Sequence, residues 1–217
     1  MKENAYRFIE LASQVHQKEQ IVEYGSRRVA DEQSKMNNLR LLFKGKSYLG
    51  LDATAGEGVD VVDDLVHSTL ISGSVGTVLC CETLEHVFEV QEAAKQLIRI
   101  VSNNGLILVT VPSGDFPLHW FPDYWRMSPE AMDKLFESVP YRIVLFQGKF
   151  HAPHTVLGAF TFDSGVYVKV REHLFANMTS IPAYKKGEGI YLWVNAETYY
   201  EQRAKTAKSL YSVTYRY

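Results

Sequence analysis

The chain has 217 residues, of which 46% are hydrophobic and 22% are charged. That composition is typical of one globular domain with a sizeable core. Lys and Arg together number 23 and Asp and Glu together 25, which gives a formal net charge of -2. This near balance offers no electrostatic reason to expect nucleic acid or an anionic membrane surface as a partner.

The sequence also gives expectations for the cellular location of the protein and for metal binding. Its first residues, MKEN, are not followed by the apolar core of a secretory signal, and no apolar run approaches the roughly 20 residues that span a bilayer. Cys80 and Cys81 are adjacent and cannot form a normal structural disulfide, and no second cysteine pair suggests a metal site. We therefore expect a cytoplasmic protein that binds neither a membrane nor a metal.

The chain opens with a predicted helix and a short strand. Apolar residues at helical spacing predict a helix over 4–20, and residues 21–26 predict a strand that turns sharply at Gly25. A glycine there allows the backbone to approach a ligand closely, although an ordinary strand-end turn is the simpler explanation. Residues 27–38 predict a polar loop, and 39–43 a short apolar helix or turn.

The stretch Tyr48-Leu49-Gly50-Leu51-Asp52 is a short apolar run that stops on a carboxylate. Its length and the glycine-containing segments on both sides predict a buried parallel strand. An Asp at the carboxyl end of such a strand points into the crevice where open α/β sheets bind ligands. The carboxylate of Asp52 is therefore a candidate acceptor for the two hydroxyls of a ribose.

Residues 59–64 form a second extended stretch that also ends on acids. Asp63 or Asp64, followed by Leu65, is suited to flank an adenine, with the carboxylate accepting from the exocyclic amine and the apolar side chain covering the ring. A solvent-facing acidic turn explains the same residues equally well.

The middle of the chain alternates between strands and helices. A third buried strand is predicted over 76–81, a helix over 88–102 with a stop at 103–105, and the most apolar strand over 106–111. Such alternation favours a parallel sheet with right-handed crossovers.

Residues 113–127 interrupt the alternation with a loop dense in aromatic residues and prolines, which suits either a lid or the wall of a pocket. Ser128 and Pro129 then predict a helix start. Residues 141–150 and 155–162 predict a hairpin at the sheet edge. Beyond it we expect a helix over 166–178, a strand over 190–194 and a polar helix over 196–210.

Taken in order, these motifs resemble those of class I S-adenosylmethionine-dependent methyltransferases, in the compact bacterial and phage form with an E-x-G-S first motif. The resemblance spans about 21–162. It rests on five segments, namely Val22–Arg27, Tyr48–Asp52, Gly58–Asp64, Cys81–Val87 and Asn104–Pro112. The implied fold is a Rossmann-like, doubly wound α/β/α sandwich with a mostly parallel sheet and an antiparallel hairpin edge. We expect this domain over 1–162 and a C-terminal extension over 163–217 packed on it.

The resemblance also implies roles for individual residues. S-adenosylmethionine is the implied cofactor, and the residues implied to bind it are Glu23, Tyr24, Gly25, Ser26, Asp52, Ala53, Asp64, Leu65, Cys81 and Glu82. The sequence departs from the family pattern in retaining only Gly25 of the usual glycine set, with Arg27 and Arg28 at places where further glycines would stand.

Methyl transfer to oxygen requires a base, and histidine is the usual choice near neutral pH. His119 and His86 are the candidates, with Asp123 behind them, although a structural role for either histidine is the plain alternative. A further set is placed to bind a small-molecule or sugar acceptor, and its members are Phe116, His119, Tyr124, Trp125 and Arg126.

Two other readings of the sequence stay open. The thin first motif is compatible with a catalytically inactive methyltransferase-fold protein that only binds. An NAD-dependent oxidoreductase shares the carboxylate that follows a strand, but the missing G-x-G-x-x-G argues against it. The sequence is compatible with a homodimer, and it does not identify the methyl acceptor.

Overall fold

The computed structural model describes residues 2–28, 36, 38–114, 116–118, 120–182 and 188–193. Its eight strands form one mixed sheet, in the order β3-β2-β1-β4-β5-β7-β6-β8. The strands are β1 (Ile21–Tyr24), β2 (Tyr48–Asp52), β3 (Val61–Val62), β4 (Val75–Cys81), β5 (Val101–Pro112), β6 (Tyr141–Lys149), β7 (Ala152–Thr161) and β8 (Gly189–Trp193). The helices are α1 (Glu3–Val15), α2 (Val90–Ile100), α3 (Pro129–Leu135) and α4 (Ser164–Asn177).

Strands β1 to β5 are parallel, and β7 is antiparallel to both β5 and β6. Strand β8 continues the sheet antiparallel to β6. The predicted three-layer α/β architecture with an antiparallel edge is therefore confirmed. The hairpin is tighter than predicted, because β6 and β7 are separated by only two residues.

Each sheet face has its own hydrophobic core, because side chains alternate between faces along a strand. Val78, Val109 and Phe136 belong to the core that includes α2 and α3. Leu79 and Leu108 belong to the opposite core, which includes α1 and α4. Every residue of β4 is buried, which fits its place at the centre of the sheet.

Helices α3 and α4 begin where the sequence provides a side-chain cap. The hydroxyl of Ser128 accepts a hydrogen bond from the Ala131 N–H, and Pro129 occupies the first turn of α3. The Asp163 carboxylate accepts from the Val166 N–H at 2.9 Å and starts α4. The predicted α3 start is confirmed.

Two predicted boundaries were wrong. Helix α1 ends at Val15 rather than near residue 20, because Val15 is the last apolar residue of its helical repeat. The segment 101–105, expected to finish a helix and stop it, already belongs to β5. Val101 pairs with Val75, after which the ladder shifts register before Thr77. The helix expected over 196–210 lies outside the described residues.

Phe136 and Phe160 form a fully buried stack between α3 and β7, with ring centroids 4.0 Å apart and planes 10° from parallel. We expect Phe136→Ala to lower the free energy of unfolding by about 3–5 kcal/mol, because the cavity also removes the ring partner of Phe160. Equilibrium urea unfolding measures the loss. Val168→Ala, at a position 48% exposed on α4, serves as control and should change stability by no more than about 0.5 kcal/mol. Equal effects of the two variants would contradict the packing.

Candidate active site

The candidate site lies where the order of the sheet reverses. Strand β1 is flanked by β2 on one side and β4 on the other, all three parallel. In open α/β sheets, ligands bind outside the carboxyl ends of the strands at this switch point. The turns that follow these three strands form the walls of a cavity.

This cavity has a volume of about 590 Å³, which lies within the usual range for small-molecule sites. The residues predicted from the sequence to bind a cofactor converge here. The cavity lining includes Glu23, Tyr24, Gly25, Ser26, Asp52, Ala53, Asp64, Leu65, Cys81 and Glu82, together with His86. The structure therefore brings all of these residues together at one cavity, and their individual roles stay predictions.

The turn after β1 is held against the turn after β4. Gly25 has a positive φ of 80°, and a Cβ placed on it would lie 2.0 Å from the Thr83 hydroxyl oxygen. Thr83 also donates a hydrogen bond to the Cys81 carbonyl at 3.0 Å. Both Gly25 N–H and Ser26 N–H donate to the Leu51 carbonyl. Thus Gly25 is required by the close approach of Thr83.

Glu23 is a half-buried acid at the wall of the cavity. The Tyr48 hydroxyl donates to its Oε2 at 2.6 Å. Burial raises the pKa of the Glu23 carboxyl from 4.5 to about 7, although the hydrogen bond from Tyr48 and the charge of Arg40 act in the opposite direction. Glu23 therefore changes charge near neutral pH.

Asp52 uses one of its two carboxylate oxygens within the protein. Its Oδ1 accepts from the Thr54 N–H at 2.9 Å and from the Thr54 hydroxyl at 3.0 Å. Its Oδ2 makes no hydrogen bond within the described part of the chain. The side chain is thus fixed by its own turn while one oxygen stays available to accept hydrogen bonds from a ligand.

The two acids after β3 have different surroundings. Asp63 is buried and accepts from the Tyr24 hydroxyl at 2.7 Å and from Thr69. Asp64 is exposed and caps a single helical turn, where its Oδ1 accepts from the Val66 N–H. Leu65, at 5% exposed, follows directly. Asp63 is therefore held by hydrogen bonds of the fold, and Asp63, Asp64 and Leu65 all line the cavity.

The end of β4 presents a thiol and a strained acid. Burial raises the pKa of the Cys81 thiol well above its usual value, which keeps it neutral. Glu82 has a positive φ of 50°, a conformation that side chains rarely adopt. It is held there by Thr110, whose carbonyl accepts from the Glu82 N–H at 2.8 Å and whose hydroxyl donates to its Oε1 at 3.0 Å.

His86 lies between the β4 turn and the aromatic loop. Its Nδ1 is 2.6 Å from the Pro122 carbonyl oxygen. Because a carbonyl only accepts, Nδ1 carries the hydrogen, and Nε2 is the nitrogen that can take up a proton. Trp120 and Phe121 line the cavity beside this ring. This is the part of the aromatic loop that faces the site.

The residues predicted to bind the acceptor lie elsewhere on that loop. Within the described residues, Phe116, Tyr124, Trp125 and Arg126 are outside the cavity lining. Arg126 forms a double hydrogen bond to Asp123, at 2.5 and 2.6 Å, and also donates to main-chain carbonyls of the loop. The Trp125 indole donates to the Val87 carbonyl. Their contacts organise the loop, and their predicted roles toward an acceptor stay predictions.

His119 lies outside the described residues, so its predicted role is not addressed. Sequence reasoning missed several lining residues, although most stand within motifs that it had singled out. They are Arg27, Arg28, Thr54, Thr83, Val87, Trp120, Phe121 and Pro122, whereas Asp63, which also lines the cavity, was named with Asp64 as a candidate beside an adenine. Thr83 and Val87 lie inside the Cys81–Val87 motif, and the last three of the missed residues belong to the aromatic loop.

In the described part of the chain, no group of three or more His, Cys, Asp and Glu side chains is arranged to hold a metal ion. No helix there is both long and apolar enough to cross a bilayer.

Comparisons with known proteins address the fold. No family model matches the sequence, and no curated protein does. A solved SAM-dependent methyltransferase from Thermotoga maritima superimposes with a TM-score of 0.52 at 15% identity, covering 73% of this chain and 92% of that one. A complex from Haloferax volcanii between the Trm112 methyltransferase activator and a proposed methyltransferase superimposes with a TM-score of 0.52 at 15% identity, covering 73% of this chain and 89% of that one. The [4+2]-cyclase SpnF superimposes with a TM-score of 0.50 at 10% identity, covering 72% of this chain and 81% of that one.

At such identities, likeness establishes architecture, and activity must be argued from the site. The chain has the fold of the class I S-adenosylmethionine-dependent methyltransferases. The fold predicted from the sequence is confirmed at this level.

The burial of Glu23 predicts a pH-dependent stability. The folded protein keeps the Glu23 proton up to about pH 7, whereas the unfolded chain releases it near 4.5. The free energy of unfolding should therefore fall as pH rises through this window. Glu23→Gln should flatten that fall by on the order of 2–3 kcal/mol, measured by urea unfolding at several pH values. Glu172→Gln, an exposed acid on α4, should leave the slope as it is. A wild-type slope retained in Glu23→Gln would contradict the assignment.

Proposed function

We propose that this protein is an S-adenosylmethionine-dependent methyltransferase that transfers a methyl group to an oxygen atom of a small-molecule or glycan acceptor. The observation that carries the proposal is the cavity at the β1–β4 switch point, which gathers every residue expected to hold the cofactor. The fold supplies the context, because solved methyltransferases share it.

The chemistry of the lining fits this cofactor. S-adenosylmethionine offers hydrogen-bond donors in its ribose hydroxyls, its ammonium group and its adenine amine, and it carries a sulfonium cation. Glu23, Asp52 and Glu82 line the cavity as acceptors, and the Oδ2 of Asp52 has no other partner in the described chain. Arg27 and Arg28 supply cations for a carboxylate. The Ser26 hydroxyl is buried without a hydrogen-bond partner among the described residues.

When bound, S-adenosylmethionine would supply a methyl group already activated by its sulfonium. The residues of this chain then have two tasks, which are to hold the acceptor close and to remove its proton. His86 is the described residue suited to the second task, because it lines the cavity and its ring is oriented by Pro122. Trp120 and Phe121 provide aromatic surfaces on which a phenol or sugar ring can pack.

Cofactor binding is the first test. Calorimetric titration of the purified protein with S-adenosylmethionine and with S-adenosylhomocysteine should show micromolar affinity for each. A parallel fluorescence titration with NADH should show no binding, since the β1 turn lacks G-x-G-x-x-G. Binding of NADH alone would overturn the proposal in favour of an oxidoreductase.

Methyl transfer is the second test. Radiolabelled S-adenosylmethionine is supplied with a panel of simple phenols and a panel of monosaccharides, and labelled product is counted. Transfer to a hydroxyl supports the proposed reaction. Tight cofactor binding with no transfer to either panel would favour a methyltransferase-fold binding protein, an alternative kept in view because the cyclase SpnF shares this fold.

Asp52 provides a residue-level prediction. Asp52→Ala should weaken S-adenosylmethionine binding at least about tenfold, because two hydrogen bonds to a charged acceptor are lost. Asp52→Asn keeps an oxygen for the Thr54 N–H and should fall between wild type and Asp52→Ala. Glu137→Gln, an exposed acid after α3, is the matched control. Unchanged affinity in Asp52→Ala would contradict the prediction that Asp52 accepts hydrogen bonds from the ribose hydroxyls.

A further inference from the structure

Residues 63–74 connect β3 to β4 and form one wall of the cavity. Within this segment, all of which the structure describes, the one element of regular structure is the helical turn Leu65–His67. Asp64 and Leu65, here called the adenine wall, line the cavity. A segment with so few main-chain hydrogen bonds of its own depends on contacts from neighbouring elements to keep its position.

On the side of the sheet, the segment is held through Asp63. Its Oδ1 accepts from the Tyr24 hydroxyl at 2.7 Å, and its Oδ2 accepts from the Thr69 N–H at 3.1 Å. The Tyr24 hydroxyl also lies 2.6 Å from the Ser68 hydroxyl oxygen. Both oxygens of Asp63 are thus engaged within the fold, whereas Asp64 is exposed. Asp64 is therefore the acid better placed to accept from an adenine amine.

On the opposite side, the segment is held by Arg99 of α2. Its terminal nitrogens donate to the Ser68 carbonyl at 2.9 Å, to the Leu70 carbonyl at 2.7 Å and to the Ser72 hydroxyl at 3.1 Å. Its Nε donates to the Gln96 side chain at 2.7 Å. A guanidinium can reach several acceptors at once because its donors diverge within one plane.

Arg99 lies outside the cavity lining. It is half-buried in a separate groove between the segment and α2, which His67 also lines. Leu97 of the same helix packs in one core with Leu65. An effect of Arg99 on a ligand in the cavity must therefore pass through the segment that it holds.

We infer that Arg99 is a positioning residue for the adenine wall, and that it makes the site selective for adenine over a base that lacks the exocyclic amine. This inference rests on the proposed function and deepens it. Ser68 joins the two sides, since its hydroxyl contacts Tyr24 and its carbonyl accepts from Arg99. The turn capped by Asp64 is thus fixed from both sides. A hydrogen bond to the amine needs that precision, because it weakens steeply with distance and angle.

The test compares two ligands that differ at the position of this amine. S-adenosylhomocysteine and S-inosylhomocysteine, in which an oxygen replaces the amine, are titrated calorimetrically into wild type, Arg99→Ala and Lys95→Ala. Lys95 is an exposed cation on the same helix and provides the matched control. Wild type and Lys95→Ala should prefer the adenine compound at least about tenfold, because the other compound sets a carbonyl oxygen against the carboxylate.

Arg99→Ala should lower this preference about threefold or more, mainly by weakening the binding of the adenine compound. A smaller fraction of folded protein would weaken the apparent binding of both compounds alike and leave their ratio unchanged. The ratio therefore separates positioning from stability. The wild-type ratio in Arg99→Ala would overturn the inference.

Arg99→Lys keeps the test decisive if Arg99→Ala does not fold. It retains the positive charge, but an ammonium carries its donors on a single atom and does not span the Ser68 and Leu70 carbonyls as the guanidinium does. The preference for adenine should again fall, by a smaller factor. The wild-type ratio in Arg99→Lys would overturn the role assigned to the guanidinium.

Wild-type protein alone separates this inference from the proposed function. If it binds neither compound, the proposed function is overturned, and the inference with it. If it binds both with equal affinity, the inference alone is overturned, because the adenine wall then does not distinguish the amine.

Discussion

The site depends on one contact, the packing of Thr83 against the α-carbon of Gly25. A side chain at Gly25 would overlap the Thr83 hydroxyl, so the turns after β1 and β4 approach this closely only because position 25 has none. The contact places Glu23 and Glu82, which end or follow these strands, on one cavity. The same turn is tied to β2 through the Leu51 carbonyl, which sets the position of Asp52.

Three acids near this edge of the sheet, two buried and one half-buried, differ in the hydrogen bonds that their carboxyl groups receive. Asp63 has its hydrogen-bonding needs met within the fold, since it accepts from Tyr24 and Thr69. Glu23 has one strong donor, Tyr48, and a pKa raised toward neutrality. The carboxyl group of Glu85 has no hydrogen bond in the described chain. Asp63 is thus held by the fold and also lines the cavity, whereas burial raises the pKa of Glu23 to about 7 and that of Glu85 well above its usual value.

The sequence alone predicted those parts of the fold that follow from local pattern. Buried strands such as β2 and β4 are continuous apolar runs, and the carboxyl ends of parallel strands meet at one edge, so Asp52 was expected at the ligand-binding edge. Glu82 was expected there only from the family resemblance. The shift in the β4–β5 ladder was not predictable, because it arises from pairing between Val75 and Val101. A helix stop and a strand bulge have the same local signature of polar residues and glycine.

The aromatic loop shows the same limit of prediction from local sequence, here at the candidate site. The composition of residues 113–127 indicated a lid or a pocket wall. The loop contains rings that face the cavity and rings that pack away from it. Trp120 and Phe121 face the cavity, while Tyr124 and Trp125 pack on Phe88, with ring centroids 5.3 and 6.2 Å away. Which rings face inward depends on hydrogen bonds to the Glu85 carbonyl, a contact across 39 residues that no short window contains. The unsatisfied carboxyl of Glu85 is hidden from sequence for the same reason.

Two glycines of the loop after β2 pack against the turn after β1. Arg27 and Arg28 stand where the family has glycines, and their side chains lie over Gly56 and Gly58. A Cβ at Gly58, whose φ is 91°, would come within 2.5 Å of the Ser26 carbonyl oxygen. The loop after β2 can therefore lie this close to the turn after β1 because Gly56 and Gly58 have no side chains. The turn keeps its position against β2, although Arg27 and Arg28 replace glycines in it, because the room is made on the neighbouring loop.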